Sequence, residues 1–135
     1  MKEETKEFLI IADKDFEEAK EALKSGLIRS ACYWSQQAIE LFLKAFLIEK
    51  DVFDPEIHKT HNLLFLAREC YKIDKDFERI LKIKKLSFLS RFATRLRYDK
   101  SFIESITEED AKEAIEVAEK VRGFVLKKLN ITESI

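Results

Sequence analysis

Three stretches of roughly twenty residues space their apolar side chains three and four apart, a periodicity that only helices burying one face can satisfy. In residues 5–25 the stripe is Phe8, Ala12, Phe16, Ala19 and Leu23, and Ser25-Gly26 ends it. In residues 27–49, Ala31, Ser35, Ala38, Phe42 and Ala45 share one face, with Cys32, Ile39 and Phe46 beside it. So wide an apolar band predicts the central, most buried helix. Residues 107–129 carry Ala111, Ala114, Ala118, Val121, Val125 and Leu129 after the opening Thr107-Glu108-Glu109-Asp110. There Thr107 can cap free amides while the acids meet the positive end of the helix dipole.

Between these stretches the pattern is shorter. Around residues 50–60 it stops, Asp54-Pro55 favours a turn, and the segment His58 to Leu64 opens a helix carrying Leu63, Leu64, Leu66 and Ala67. From Asp76 to Arg95, the apolar residues Phe77, Ile80, Leu81, Leu86, Phe88, Leu89 and Phe92 predict a fourth helix. With only two Gly and one Pro, 38% charged residues and no period-two alternation, the chain reads as all-α. The expected architecture is an antiparallel up-and-down bundle of about five helices, and 135 residues suit one domain over 1–135. Eleven Phe can fill its core, and the Lys- and Glu-rich surface would suit a thermophile. No apolar run reaches the length of a membrane helix, and the start MKEETKEF is charged where a secretory signal needs apolar residues, so a cytoplasmic location is expected. Cys32 and Cys70 lie inside apolar patterns without ligand spacing, which argues for small hydrophobes rather than zinc ligands or a disulfide.

Charge is uneven under a net of −1: residues 72–100 hold ten Lys and Arg against four acids. A basic segment of this size reads either as a solvated face or as an anion site. Arg91, Arg95 and Tyr98, at i, i+4 and i+7, would align on one face if the fourth helix runs that far, with Arg97 nearby. Guanidiniums clamp phosphates through paired donors, and a tyrosine stacks or hydrogen-bonds, so this is the leading nucleotide or anion candidate. The central helix carries a polar line, Gln36, Gln37, Glu40 and Lys44. It reads as a Glu–Lys pair on a helix flank, or as Gln37 and Lys44 approaching a cleft to recognise a ligand. His58 and His61 stand at i, i+3 without a carboxylate-plus-His set, so metal binding is not expected, and His61, directly before Asn62 and Leu63, suits a helix-capping or core role better than catalysis. No glycine-rich phosphate loop, GxSxG or HExxH motif occurs.

The stretch Ala31-Cys32-Tyr33-Trp34-Ser35-Gln36-Gln37-Ala38-Ile39-Glu40-Leu41-Phe42-Leu43-Lys44-Ala45 resembles the signature helix of the HEPN family. His61-Asn62-Leu63 is similar to the family's His-x-Leu, Arg97-Tyr98-Asp99 to its late Arg-Tyr segment, and Glu109-Asp110-Ala111 to the opening of its last helix. The resemblance spans about residues 8 to 129, with Asp99 where a proline often follows the tyrosine. It implies a five-helix antiparallel bundle that dimerises and, in many members, partners a small nucleotidyltransferase. Many members are also metal-independent ribonucleases, often toxins of toxin–antitoxin pairs, that use an Arg followed four to six residues later by His. Here that histidine is missing: five to seven positions after Arg91 stand Leu96, Arg97 and Tyr98, and after Arg95 stand Lys100, Ser101 and Phe102. A tyrosine, ordinarily titrating near pH 10, is a poor acid–base substitute. The expectation is a non-catalytic homodimeric module without cofactor or metal. It would bind a nucleotide or nucleic-acid phosphate through Gln37, Lys44, Arg91, Arg95, Arg97 and Tyr98, or partner a nucleotidyltransferase. The rivals are an endoribonuclease with an altered set such as Arg91 with Tyr98, and a structural helical adaptor.

Overall fold

The three periodic stretches become the three long helices of the computed structural model, which describes residues 1–131: α1 (Glu3–Lys24), α2 (Ile28–Glu49) and, last in the chain, α8 (Glu108–Lys128). All three end in the same way. Gly26, Asp51 and Asn130 adopt positive φ after the last turn. The following amides of Leu27, Val52 and Ile131 then reach back to the carbonyls of Ala22, Leu47 and Leu126 at 2.9, 3.1 and 2.9 Å. Glycine has no Cβ to clash in this left-handed conformation, and Asp and Asn are among the few side chains that tolerate it. At the other end of α8, Thr107 Oγ1 accepts from the Asp110 amide and Asp110 Oδ2 accepts from the Thr107 amide, a complete capping box.

The tight turn at Gly26 folds α2 back antiparallel on α1, so that Thr5 at the start of α1 donates to Glu49 at the end of α2 at 2.9 Å. Helix α8 packs against both, and α2 lies at the centre with fourteen buried residues, among them Phe42 and Phe46. Burying a side chain of that size stabilises by roughly 1.5–3 kcal/mol. Cys32 and Cys70 are buried and free, and burial, with Asp110 second, pushes the Cys32 thiol up to about 12. Neither cysteine is poised as a nucleophile.

Between α2 and α8 the chain runs through short elements: α3 (Pro55–His58), α4 (Leu63–Ile73), α5 (Glu78–Leu81), α6 (Lys85–Ser90) and α7 (Lys100–Ser105), with 3₁₀ turns at Lys75–Phe77, Arg91–Ala93 and Arg95–Tyr98. Asp54-Pro55 opens a one-turn helix rather than a plain turn, with Asp54 accepting from the Glu56 amide. The continuous basic helix expected over 76–95 is instead divided into pieces. Between Leu81 and Leu86 stand Lys82, Ile83, Lys84 and Lys85, where the helical spacing of the apolar residues is interrupted, and each piece is anchored separately. Phe77 sits between Phe46 of α2 and Phe124 of α8, with ring centroids 4.6 and 4.8 Å away. Phe92 sits against Phe102 and Phe88 at 5.1 and 5.5 Å. Among the described residues there is no strand, and no helix is long and apolar enough to cross a membrane.

One surface group on α1 carries a pH prediction. Burial first, and Glu18 second, push the Asp15 carboxyl from its usual value up to about 6. The folded state therefore holds this proton more tightly than the unfolded chain, and ionisation opposes folding: stability falls as pH rises from about 4 to about 6, and the cost is constant above. Asp15→Asn is expected to raise stability by roughly 1–2 kcal/mol at neutral pH, after allowance for solvent screening. Urea midpoints at about pH 7 and about pH 3 check this, since the gain must vanish at the lower pH.

Candidate functional site

Gln36, Glu40 and Lys44 follow one another at single-turn spacing along α2, and all three are buried, the last two at 5% and 7% exposure. A charge is held there only if every lone pair and proton finds a partner. Lys44 Nζ donates to Glu40 Oε2 at 2.9 Å, and Gln36 Nε2 donates to Glu40 Oε1 at 3.0 Å. Gln37, half-buried, donates to Gln36 Oε1 at 2.6 Å. The line is thus an interior network and not a helix flank, and the Lys44 ammonium is committed to Glu40.

His61 completes the network from the segment that enters α4. Its Nδ1 lies 2.8 Å from Glu40 Oε1, and its carbonyl accepts from Gln36 Nε2 at 3.4 Å. A carboxylate only accepts, so Nδ1 carries the proton and the lone pair of the neutral ring lies on Nε2, on the outer side of a half-exposed side chain. The cap of α4 is not His61, as the sequence allowed, but Asn62, whose Oδ1 accepts from the Phe65 amide at 3.0 Å. His58 serves elsewhere. It is buried, its Nδ1 accepts from the Asp54 amide at 2.8 Å, and its Nε2 donates to Glu69 at 2.9 Å. Lys72, and after it His58, hold the Glu69 carboxyl below the usual carboxylate range. The two histidines therefore attend different carboxylates.

The residues expected on one helical face are parted: Arg91 and Tyr98 border different grooves, and Arg95 borders neither. Helix α6 stops at Ser90, and Thr94 is extended, with φ −114° and ψ −179°, its hydroxyl donating to the Arg91 carbonyl and accepting from the Leu96 amide. This break turns Arg91 and Tyr98 to different sides. Arg91 borders a shallow groove with Thr60, His61, Asn62, Ser90 and Thr94. Arg95 is exposed and borders neither groove. Arg97 and Tyr98 line the second groove with Arg29, Ser30, Tyr33, Trp34 and Phe92.

In the second groove the Arg97 guanidinium lies 4.7 Å from the Tyr33 ring centre and 4.8 Å from that of Tyr98. It donates to the Tyr98 hydroxyl at 2.7 Å, and that bond first, with Tyr33 second, raises its pKa further. Tyr33 in turn meets Trp34 edge to face at 5.1 Å. Neither Arg29 nor Arg97 has a carboxylate partner among the described residues. Two uncompensated guanidiniums beside three aromatic rings can hold phosphate oxygens and stack bases. Arg29, Tyr33 and Trp34 were not among the candidates read from the sequence for binding. The available signal was an adjacent Tyr-Trp pair on a helix whose neighbours are nearly all buried.

A family model described as HEPN domain matches residues 5–129. The crystal structure of an archaeal HEPN homologue is similar, with a TM-score of 0.73 and 26% identity over 95% of this chain and 98% of that one. No curated protein matches the chain significantly.

Proposed function

The chain belongs to the HEPN family, whose functions are nucleotide- or RNA-related, and on that premise we propose that it is a non-catalytic module binding a nucleotide or a single-stranded nucleic acid in the Arg97 groove. The observation that carries this reading is the placement of the Arg97 guanidinium against both the Tyr33 and Tyr98 rings, with Arg29 on the same wall and no carboxylate among the described residues to neutralise either. Bases stack on such rings whatever their sequence, at roughly 1–3 kcal/mol per base, while guanidiniums track the phosphates. Within the reading, Arg97, Tyr98 and Arg29 contact the ligand. Arg91 and Arg95 add positive field from the same segment, and Gln37 and Lys44 act through the α2 network. HEPN domains are commonly dimeric, and we read this module as a homodimer that accompanies a small nucleotidyltransferase.

Trp34 is the single tryptophan of the chain and lines the groove, so its fluorescence reports occupancy directly. A short single-stranded oligonucleotide is expected to quench it. Arg29→Ala with Arg97→Ala is expected to weaken binding at least about tenfold and to lower the salt dependence by roughly one to two phosphate contacts. Parent-like affinity in that double variant would reduce the groove to surface. A second reading, metal-independent cleavage of RNA, draws on one observation: His61 and Arg91 border one groove, whereas Arg91 and Tyr98 do not share one. Cleavage by the parent that His61→Asn abolishes would replace the binding-only reading.

A further inference from the structure

The groove between the α4 entry and the 3₁₀ turn after α6 is separate from the aromatic one, and its chemistry points to a different ligand group. We propose that His61 and Arg91 form a proton-coupled site for a doubly charged phosphate, the terminal phosphate of a nucleotide or a free phosphate ion. The lining residues are Thr60, His61, Asn62, Ser90, Arg91 and Thr94, around a volume of about 400 Å³.

Most polar groups of the lining are already engaged. Ser90 Oγ donates to the Leu86 carbonyl at 3.0 Å and accepts from the Leu63 amide at 2.9 Å. The Thr94 hydroxyl donates to the Arg91 carbonyl at 2.7 Å, and Asn62 Oδ1 caps α4. The donors that stay available among the described residues are the Arg91 guanidinium, the Asn62 side-chain amide N–H groups, the Thr60 hydroxyl proton, whose oxygen accepts from the Asn62 amide at 3.1 Å, and His61 Nε2 when protonated.

Glu40 makes the histidine specific. By binding Nδ1 at 2.8 Å, it fixes the ring so that Nε2 faces outward in either protonation state. A neutral ring offers a lone pair there, which repels phosphate oxygens, and a protonated ring offers a charge-assisted donor. A protonated ring and Arg91 together match a double negative charge, so the site favours the protonated form of His61. The charged groups facing the ring are Glu40 and, behind it on α2, Lys44, which are paired with each other, and Arg91 across the groove.

The test titrates the intact protein with sulfate, which keeps its double charge at both of the pH values compared. Affinity is expected to be about tenfold tighter at about pH 6 than at about pH 8, and the His61 imidazole nitrogen resonances are expected to move on binding. His61→Asn supplies an amide that can keep the bond to Glu40 but has no outer nitrogen, so it should fold and lose the pH dependence. Arg91→Ala should weaken binding at both pH values. Equal parent affinity at both, or imidazole resonances that sulfate leaves unmoved, overturns the proposal. Oligonucleotides with and without a 5′-phosphate separate the sources. Preference for the phosphorylated end assigns the groove to nucleic-acid termini, and equal affinity alongside sulfate binding assigns it to free phosphate. Because Trp34 reports the other groove and His61 this one, either site can fail without the other.

Discussion

Replacing Glu40 by alanine is expected to destabilise the protein by about 3–5 kcal/mol, because Lys44 would remain buried with no counter-charge. Lys44 is 7% exposed and has Glu40 as its carboxylate partner at 2.9 Å, so the variant must strand the ammonium, neutralise it or open the helix packing. Gln36 and His61 lose an acceptor in the same step. The pair itself need not stabilise the fold: taking two charges out of water costs about as much as their attraction returns. Glu40→Leu combined with Lys44→Met should therefore recover most of the loss. Urea denaturation of Glu40→Leu, Lys44→Met and the double variant closes the cycle, provided the slopes stay constant. A double variant as unstable as Glu40→Ala would mean that the network is required for packing in its own right. If His61 is held for anion binding, the restored double variant should regain stability without regaining the pH dependence of sulfate affinity. That separation distinguishes a charge retained for function from one retained for the fold.

The long helices were legible because each carries its whole signal locally. An apolar stripe, the Thr107 capping box and a residue able to take positive φ, such as Gly26, lie within a few residues of the feature they specify. The middle of the chain was not legible in the same way. Its apolar residues are helically spaced over short runs, but what stops each run is a partner far away in sequence: Phe46 and Phe124 around Phe77, or Phe102 against Phe92. The consequence for the site was direct. Arg91, Arg95 and Tyr98 share a face only on an unbroken helix, and the extended Thr94 removes that premise. Arg97 and Tyr98 were candidates from their chemistry alone, whereas Tyr33 and Arg29, which line the same groove, come from another helix and have no periodicity that links them to the pair. Glu40 and Lys44 could be paired from spacing, since residues four apart on a helix touch. That the pair is interior, and that His61 attends it, is a tertiary fact.

Phe92→Ala is expected to cost a further large amount, about 3–5 kcal/mol, and to remove ligand binding even where the bundle survives. The residue is fully buried, and its ring touches Phe88 and Phe102, which also touch each other at 5.9 Å. Lys85 lies over the Phe88 ring at 4.3 Å while binding Asp110 and Glu113 of α8, so the cluster fastens the segment from α6 to α7 onto the body. This segment consists of 3₁₀ turns and six-residue helices, which hold their shape through anchored side chains more than through their own hydrogen bonds. Removing the ring therefore releases a whole stretch rather than a single contact. The two grooves share that stretch, with Arg91 and Thr94 on one side and Phe92, Arg97 and Tyr98 on the other. Phe92→Leu, which keeps most of the volume, should cost only about 1 kcal/mol and preserve binding. Hydrogen exchange provides the decisive comparison: in Phe92→Ala the amides of residues 91–105 should lose protection while those of α1, α2 and α8 keep most of theirs. Uniform loss across all helices would instead make Phe92 part of the global core, with the grooves no more dependent on it than the rest of the fold.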